Sequence, residues 1–583
     1  MQLPVWTILS LAILGRAHPQ NLTIDLGYEK YTGVHNVSTN LNTWKGIRYA
    51  APPVGDLSFR APVEPEKTGN TILADSIGPA CLQANPAGAV FGITEGASQD
   101  CLFLNVYSPF QAKDLPVFVY IHGGGYGEGD GSVDPSYLFS RLAGQFVMVA
   151  MNYRLGAFGF LSSEDVKEDG DLNAGILDQR FALEWVQKYM HLFGGDKSRV
   201  TLFGDSAGGG SVMLHAMAYG GTDGDRLFQQ AIGDSPYLPL QYNYDDDYTT
   251  YLYDQFVSTS GCEDADDKLA CLRETDIEIL DEANVNVTLA GLYGTWSFAP
   301  VTDGDLIRTT PSVQLNEQKA VNGRIMWASH NADEAPFFTP ANITTDEDLV
   351  DFIHTVFPLF DEDDISAVLE TYPLSDYGKN ISNPLFATAG DSGPTAVEVS
   401  PFAIGNQQRA YAIYAEVTFI CPAYWLANAY VPGGSSSNSS YSHSDRKTSY
   451  LHTYTNPPAL HAYDAMAYFA PPPAYQGPAF AAAMQATWGA FISTGSPNIP
   501  ASVANNSGSD VLSHWPVWGH DRLVVFNQTG GALASDEVSG WNVTDHHDPG
   551  LRNDFREVDG RAWEGGRGVR CDFWVRMGPK ARL

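Results

Sequence analysis

Basic residues are scarce in this chain of 583 residues. Lys and Arg number 33 against 68 Asp and Glu, a net charge of −35. A surface so short of cations cannot neutralise phosphates, which excludes nucleic acid as an ordinary partner and disfavours anionic membrane surfaces. Charge of either sign is also sparse, at 17% of residues, whereas 44% are hydrophobic and 12% aromatic. That balance excludes a disordered acidic polymer and favours a chain with a large core. Long apolar runs are missing beyond the start of the chain, so no other stretch approaches a membrane span. Zinc-type spacings of Cys and His are missing too. One calcium-like pattern, Asp169-x-Asp171-x-Asn173, fails because Ala174 and Arg180 occupy the positions that need Gly and Glu. There is no internal repeat and no clear linker. Ser435–Ser444 is the one low-complexity stretch and reads as a solvated loop.

The apolar stretch Pro4–Leu14, followed by Gly15, Arg16 and Ala17, reads as a signal peptide over residues 1–17, though it lacks a basic start. Nine Asn-x-Ser/Thr sequons fit a secreted, glycosylated product: Asn21, Asn36, Asn286, Asn342, Asn380, Asn438, Asn505, Asn527 and Asn542. The terminal Ala581-Arg582-Leu583 only loosely resembles a peroxisomal tail. Six cysteines, Cys81, Cys101, Cys262, Cys271, Cys421 and Cys571, suggest three disulfides in an oxidising compartment. Their number permits fifteen pairings. Spacing favours Cys81–Cys101 and Cys262–Cys271 as local loops, which leaves Cys421–Cys571.

Short continuous apolar runs at Pro116–Ile121 and Phe146–Met151 read as buried strands. Asp178–Met190 has helical periodicity, and Val200–Phe203 is again a strand. This alternation predicts an α/β fold with a large, mostly parallel central sheet flanked by helices. Directly after that last strand stands Gly204-Asp-Ser206-Ala-Gly208, the G-x-S-x-G pattern of a nucleophile elbow, with a helical composition from Ala207 onward. Ser206 is the candidate nucleophile. A serine needs a base and donors for the oxyanion it generates. His122-Gly123-Gly124-Gly125, after the strand ending at Ile121, resembles the glycine loop that supplies such backbone donors. The glycines of 123–131 never fall into G-x-G-x-x-G register, so a dinucleotide site is not expected. His122 reads as structural.

Taken together these motifs resemble the type-B carboxylesterase/lipase family of α/β-hydrolases, which includes cholinesterases and fungal lipases. Further matches are Gly46–Gly55 with Phe59-Arg60, Asp100–Val106, Asn152–Gly156, Asn173–Arg180 and the block from Phe193–Asp196 through Val200–Gly209. They are spread over nearly the whole of residues 18–583, implying one hydrolase domain. The resemblance implies Glu334, in Asn331-Ala-Asp-Glu334, as the acid, with Asp333 as runner-up. It implies His461, in Leu460-His461-Ala-Tyr-Asp464, as the base. Glycine is usual after both residues in the family, whereas Ala335 and Ala462 stand here. His452 would rival His461 without the resemblance, but its strand-like surroundings read as structural. Gly124, Gly125 and Ala207 are the implied oxyanion donors. The resemblance also supports Cys421–Cys571 and places the Cys81–Cys101 loop over the site.

The implied activity is ester hydrolysis through an acyl-enzyme, with a small-molecule ester as partner and no metal or organic cofactor. Oligomeric state is not specified. The Cys81–Cys101 loop is mostly small or polar, which favours soluble or short- to medium-chain esters over the long apolar substrates of a lipase or sterol esterase. It has no tryptophan, so the cation site of cholinesterases is not evident there. Asp205 stands where many relatives carry Glu, which weakens a choline-ester reading further. Tyr237 is a candidate for the acyl pocket, with ordinary packing as its plainer role. A catalytically inactive adhesion-type homologue is the remote alternative, disfavoured because all three candidate residues are present.

Overall fold

The computed structural model describes residues 22–583 except 90, 143, 319, 375–389, 391–394, 398, 432–446 and 507–508. The expected signal peptide, the serine-rich stretch and the sequons at Asn21, Asn380 and Asn438 lie outside the described residues.

In chain order the strands are β1 (Thr23–Asp25), β2 (Lys30–Thr32), β3 (Val34–Asn36), β4 (Leu41–Arg48), β5 (Thr71–Leu73), β6 (Phe103–Pro109) and β7 (Leu115–Ile121). They continue with β8 (Val147–Met151), β9 (Gly195–Asp205), β10 (Gln230–Asp234), β11 (Ile325–Asn331), β12 (Thr448–Tyr454), β13 (Arg522–Val538) and β14 (Trp541–Asp559). Eleven of them form one sheet in the order β14-β13-β12-β11-β10-β9-β7-β8-β6-β4-β3. Pairing is parallel from β8 through β13 and antiparallel at both margins. The expected α/β fold is therefore present.

The central strands β7 and β8 are almost wholly apolar because helices cover both faces; every residue of Val147–Met151 is buried. The helix expected over Asp178–Met190 begins earlier, spanning Ala174–Tyr189. Its first residues are buried, and Asn173 before it is held at φ 57° by bonds to Val301 O and Asp303 Oδ2. Periodicity marks where an amphipathic face starts, not where a buried helix end is anchored by tertiary contacts. The mostly exposed acidic run at residues 361–364 does local work. Asp361 and Asp364 form a reciprocal cap on the helix Glu362–Thr371 and bind Lys580.

The C-terminal segment packs on the main body. Cys421 and Cys571, 150 residues apart, are joined, as are Cys81–Cys101 and Cys262–Cys271. Beside the first of these bonds Glu416 is 1% exposed and accepts from Arg570 Nε at 2.8 Å, Arg570 Nη2 at 2.7 Å and Tyr372 Oη at 2.7 Å. Arg567 Nε lies at 3.3 Å. Two buried guanidinium groups thus depend on one carboxylate. The carbonyl of Leu583, itself buried, accepts from Ser312 Oγ at 2.5 Å.

Glu416→Gln leaves both cations buried with a neutral acceptor. A loss of about 3–5 kcal/mol is expected, as for other broken buried pairs, read as a lowered unfolding midpoint in denaturant.

Candidate active site

Parallel strands all deliver their C-terminal ends to one edge, and the candidate residues gather there. β9 ends at Asp205 and a helix starts at Ala207, so Ser206 must turn the chain within one residue. It does so at φ 57° and ψ −124°, a region that costs a non-glycine residue about 1–3 kcal/mol. The glycines beside it are required by distance. A Cβ on Gly204 would lie 2.2 Å from the Gly208 backbone, and one on Gly208 would lie 2.2 Å from Ile121 O. The turn is pinned by Ser206 N–H donating to Asp234 O at 3.0 Å and Tyr237 N–H donating to Ser206 O at 2.9 Å. Ser206 itself is only partly buried.

Glu334 follows β11 and His461 follows β12, strands that are neighbours in the sheet. Glu334 Oε2 lies 2.5 Å from His461 Nδ1, and both side chains are buried. The other carboxylate oxygen accepts from Ser235 Oγ at 2.7 Å and from Asn331 N–H at 2.5 Å. The other ring nitrogen, Nε2, is buried without a hydrogen-bond partner among the described residues. The ring lies against Phe419 (centroids 4.3 Å apart) and edge-on to Phe338 (5.2 Å). Ser235 links the two halves of the site: its neighbour Asp234 holds the Ser206 amide, while its own hydroxyl holds Glu334. His461 also acts on Asp205, next to Ser206. Burial pushes the Asp205 carboxyl up to about 6, with the His461 charge pulling the other way.

Behind Glu334 lies a second tier of acids. Asp464 Oδ1 accepts from Asn331 Nδ2 at 2.9 Å, and Ser329 Oγ donates to Asp234 at 2.7 Å. Burial raises both Asp234 and Asp464, and each also feels the other. Asp234 is pushed up further than Asp464.

The loop after β7 carries the glycine run. Gly124 sits at φ 100° and Gly125 at φ 59°. A Cβ on Gly125 would fall inside the Trp296 indole, 1.9 Å from Cε3. Among the described residues neither amide of Gly124 and Gly125 donates to a protein acceptor. Ala207, as the first residue of its helix, has no intrahelical acceptor either. Gly123 brings this loop against the elbow: its Cβ would lie 3.0 Å from the Ser206 Cβ.

The rival residues point elsewhere. Asp333, its carboxyl raised to about 8 chiefly by burial, bonds Ser400 and faces Glu564 and Arg567. His452 accepts from Trp327 Nε1 at 2.9 Å and packs on Phe526. His122 bonds Gly123 O and stacks on Tyr153, and burial lowers it to about 4. Sequence reasoning missed Ser235, Asn331 and the Asp234–Asp464 pair. It also missed Glu128, whose backbone carbonyl and Cγ pack against Gly124 and whose carboxyl is raised to about 8 by burial. Asn331 and Asp464 stand inside the very segments that carry Glu334 and His461, which is the one signal that could have found them.

The Cys81–Cys101 loop is tied to the glycine loop by Ala84 N–H to Gly127 O at 2.9 Å and Gln83 Nε2 to Gly129 O at 3.0 Å. Its Phe91 lies against Trp296, Phe337 and Phe338. On the far side of Trp296, Tyr237 and Phe338 is an apolar cavity of about 640 Å³ extending to Tyr251, Leu252 and Pro358. Tyr237 therefore stands between the elbow and this cavity.

A mostly parallel sheet, a strained serine turn at a strand end and an acid–histidine pair on the following strands define an α/β-hydrolase. The chain belongs to the Carboxylesterase family, whose profile matches residues 27–530, and it is a carboxylic ester hydrolase. It is 32% identical over 418 residues to "Secreted lipase 4" of Gibberella zeae, covering 68% of this chain and 70% of that protein. It is 30% identical over 557 residues to "Carboxylesterase patB" of Aspergillus clavatus, covering 84% and 91%. The crystal structure of Aspergillus niger EstA superposes with a TM-score of 0.75 at 26% identity, covering 97% of this chain and all of that one. Among the described residues no helix is long and apolar enough to cross a membrane.

The two alanines that replace glycine differ. Ala462 sits at φ 64°, whereas Ala335 is not in the left-handed region. Ala462→Gly relieves strain of about 1–2 kcal/mol against a chain-entropy cost of about 0.5–1 kcal/mol, so a net gain of about 0.5–1 kcal/mol is expected. Ala335→Gly carries only the cost. Thermal unfolding of both variants should give shifts of opposite sign.

Proposed function

We propose that the protein is a secreted serine esterase that works through Ser206, His461 and Glu334. The observation that carries this reading is the His461 ring, held by Glu334 on one nitrogen and left unpartnered on the other, at the same sheet edge as a serine on a strained turn. In the cycle, His461 Nε2 takes the proton of Ser206 as Oγ attacks the ester carbonyl. Glu334 fixes the tautomer and stabilises the imidazolium without taking its proton. The amides of Gly124, Gly125 and Ala207 receive the oxyanion. His461 then protonates the departing alkoxide, and the alcohol leaves a Ser206 acyl-enzyme. Water, deprotonated by the same nitrogen, attacks that acyl group; the acid departs and Ser206 regains its proton. Ser235 and the Asn331 amide hold the other Glu334 oxygen in place.

Export is supported by three disulfides, by the exposed sequons at Asn36, Asn286, Asn342, Asn505 and Asn542, and by the secreted relatives. For substrate, the short cover formed by the Cys81–Cys101 loop, fastened to the glycine loop at several points, favours soluble or short- to medium-chain esters. A second reading, a long apolar acyl chain as in a lipase, draws support from the cavity behind Tyr237, Trp296 and Phe338.

Ser206→Ala should lower kcat on p-nitrophenyl acetate by about 10⁴–10⁶-fold with the fold intact; a variant of wild-type activity would remove the proposed nucleophile. A p-nitrophenyl ester series from acetate to palmitate decides the substrate. Highest kcat/KM at the short or middle lengths supports the soluble-ester reading, and a maximum at palmitate transfers the assignment to the long-chain one.

Glu128 gives a pH signature. Its carboxyl is neutral below about 8, and above that its charge opposes the oxyanion beside Gly124. The kcat/KM should fall as pH rises through about 8, and Glu128→Gln should flatten that limb. The sign for stability follows from the same shift. The folded chain retains this proton up to about 8 while the unfolded chain releases it near 4.5. Stability therefore falls between those values as pH rises, and less so in the Gln variant.

A further inference from the structure

β13 meets its parallel neighbour β12 only at Val524–Phe526. Beyond that point β13 and β14 run on as a two-stranded arm that turns at Ser539 and Gly540. The arm folds back over the segment carrying His461: Val538 and Val543 pack on Leu460, and Trp541 packs on Phe337 and Phe402. Its register places Asp545 opposite Ala534 and His547 opposite Ala532, with Asp536 opposite Val543. Residues two apart on a strand share a face, so Asp536, Asp545 and His547 all point to the same side.

The three side chains converge. His547 Nε2 lies 2.6 Å from Asp536 Oδ2 and 3.0 Å from Asp545 Oδ1, and all three donor atoms fall within 4.8 Å of one another. Asp545 is the informative member. It is 1% exposed, yet neither of its carboxylate oxygens has a hydrogen bond among the described residues. The single Nε2–H position of His547 is already directed to Asp536. A buried carboxylate without a donor is costly unless a cation faces it.

We propose that Asp536, Asp545 and His547 form a site for a divalent first-row transition metal that clips the two strands of the arm together. Donors arranged at right angles around an ion at about 2.1 Å are about 3.0 Å apart, and the two distances from His547 Nε2, 2.6 and 3.0 Å, are close to that. One imidazole with two carboxylates suits zinc or manganese better than calcium, which takes oxygen ligands. Three protein ligands leave room for water on the ion. The site is separate from Ser206, Glu334 and His461, and the proposed ester chemistry does not pass through it. Its residues are split across a hairpin, which is why linear spacing does not reveal them.

The test uses the untagged full chain, stripped with EDTA and desalted, with Zn²⁺ followed by calorimetry and thermal unfolding. The expected result is one Zn²⁺ per chain with a raised unfolding midpoint. His547→Gln, Asp545→Asn and the more exposed Asp536→Asn should each weaken binding by about 10-fold or more, since even supporting residues around a metal cost that much. Turnover of p-nitrophenyl acetate by Asp536→Asn, which touches no part of the ester site, checks that this variant is folded. No binding by the wild type, or equal binding by folded Asp536→Asn and wild type, overturns the proposal. Calcium binding as tight as zinc overturns the choice of metal class.

Discussion

The close approach of two backbones at residue 206 is the constraint on which the site depends. Strand and helix meet there with no room for side chains at Gly204 and Gly208, and the helix start abuts the end of β7 at Ile121. One contact therefore fixes the serine's height above the sheet and the position of the glycine loop at once. Loosening it would separate the candidate nucleophile from the candidate oxyanion donors, although they stand about eighty residues apart in sequence. The strain at Ser206 persists because the flanking strands over-determine the turn.

Around that contact the site is built as a relay of buried polar groups. The Ser206 amide leans on Asp234, Ser235 leans on Glu334, and Glu334 holds His461. Asn331 then joins Glu334 to Asp464. Each group is positioned by a neighbour that is itself hydrogen-bonded, which is what low-dielectric surroundings demand. Asp205, Asp234, Glu334 and Asp464 share this small volume, and burial raises the carboxyls of Asp205, Asp234 and Asp464.

Much of this was legible in the sequence, for identifiable reasons. The strands Leu115–Ile121 and Val147–Met151 were readable because a doubly covered strand must be apolar throughout. Ser206 and the glycine loop were readable because tight turns admit few residue types. Glu334 and His461 came from resemblance alone, since a loop-borne acid or base leaves no local pattern. Glu128 and Ser235 were invisible: their importance arises from burial beside groups distant in the chain, and burial of a polar residue has no periodic signature. The left-handed backbone at Ala462 was hidden as well, because alanine advertises no such geometry, while the equivalent substitution at Ala335 carries no strain.

The carboxylate of Glu416 has a consequence for biosynthesis. Its two cationic partners, Arg567 and Arg570, are translated about 150 residues later, together with the cysteine that joins Cys421. Until they emerge from the ribosome, the helical region behind the sheet holds an acid with no counter-ion and a thiol with no mate. The body of the enzyme therefore closes last, from its far end. A ribosome that stalls before that segment would release a product whose interior is electrostatically incomplete.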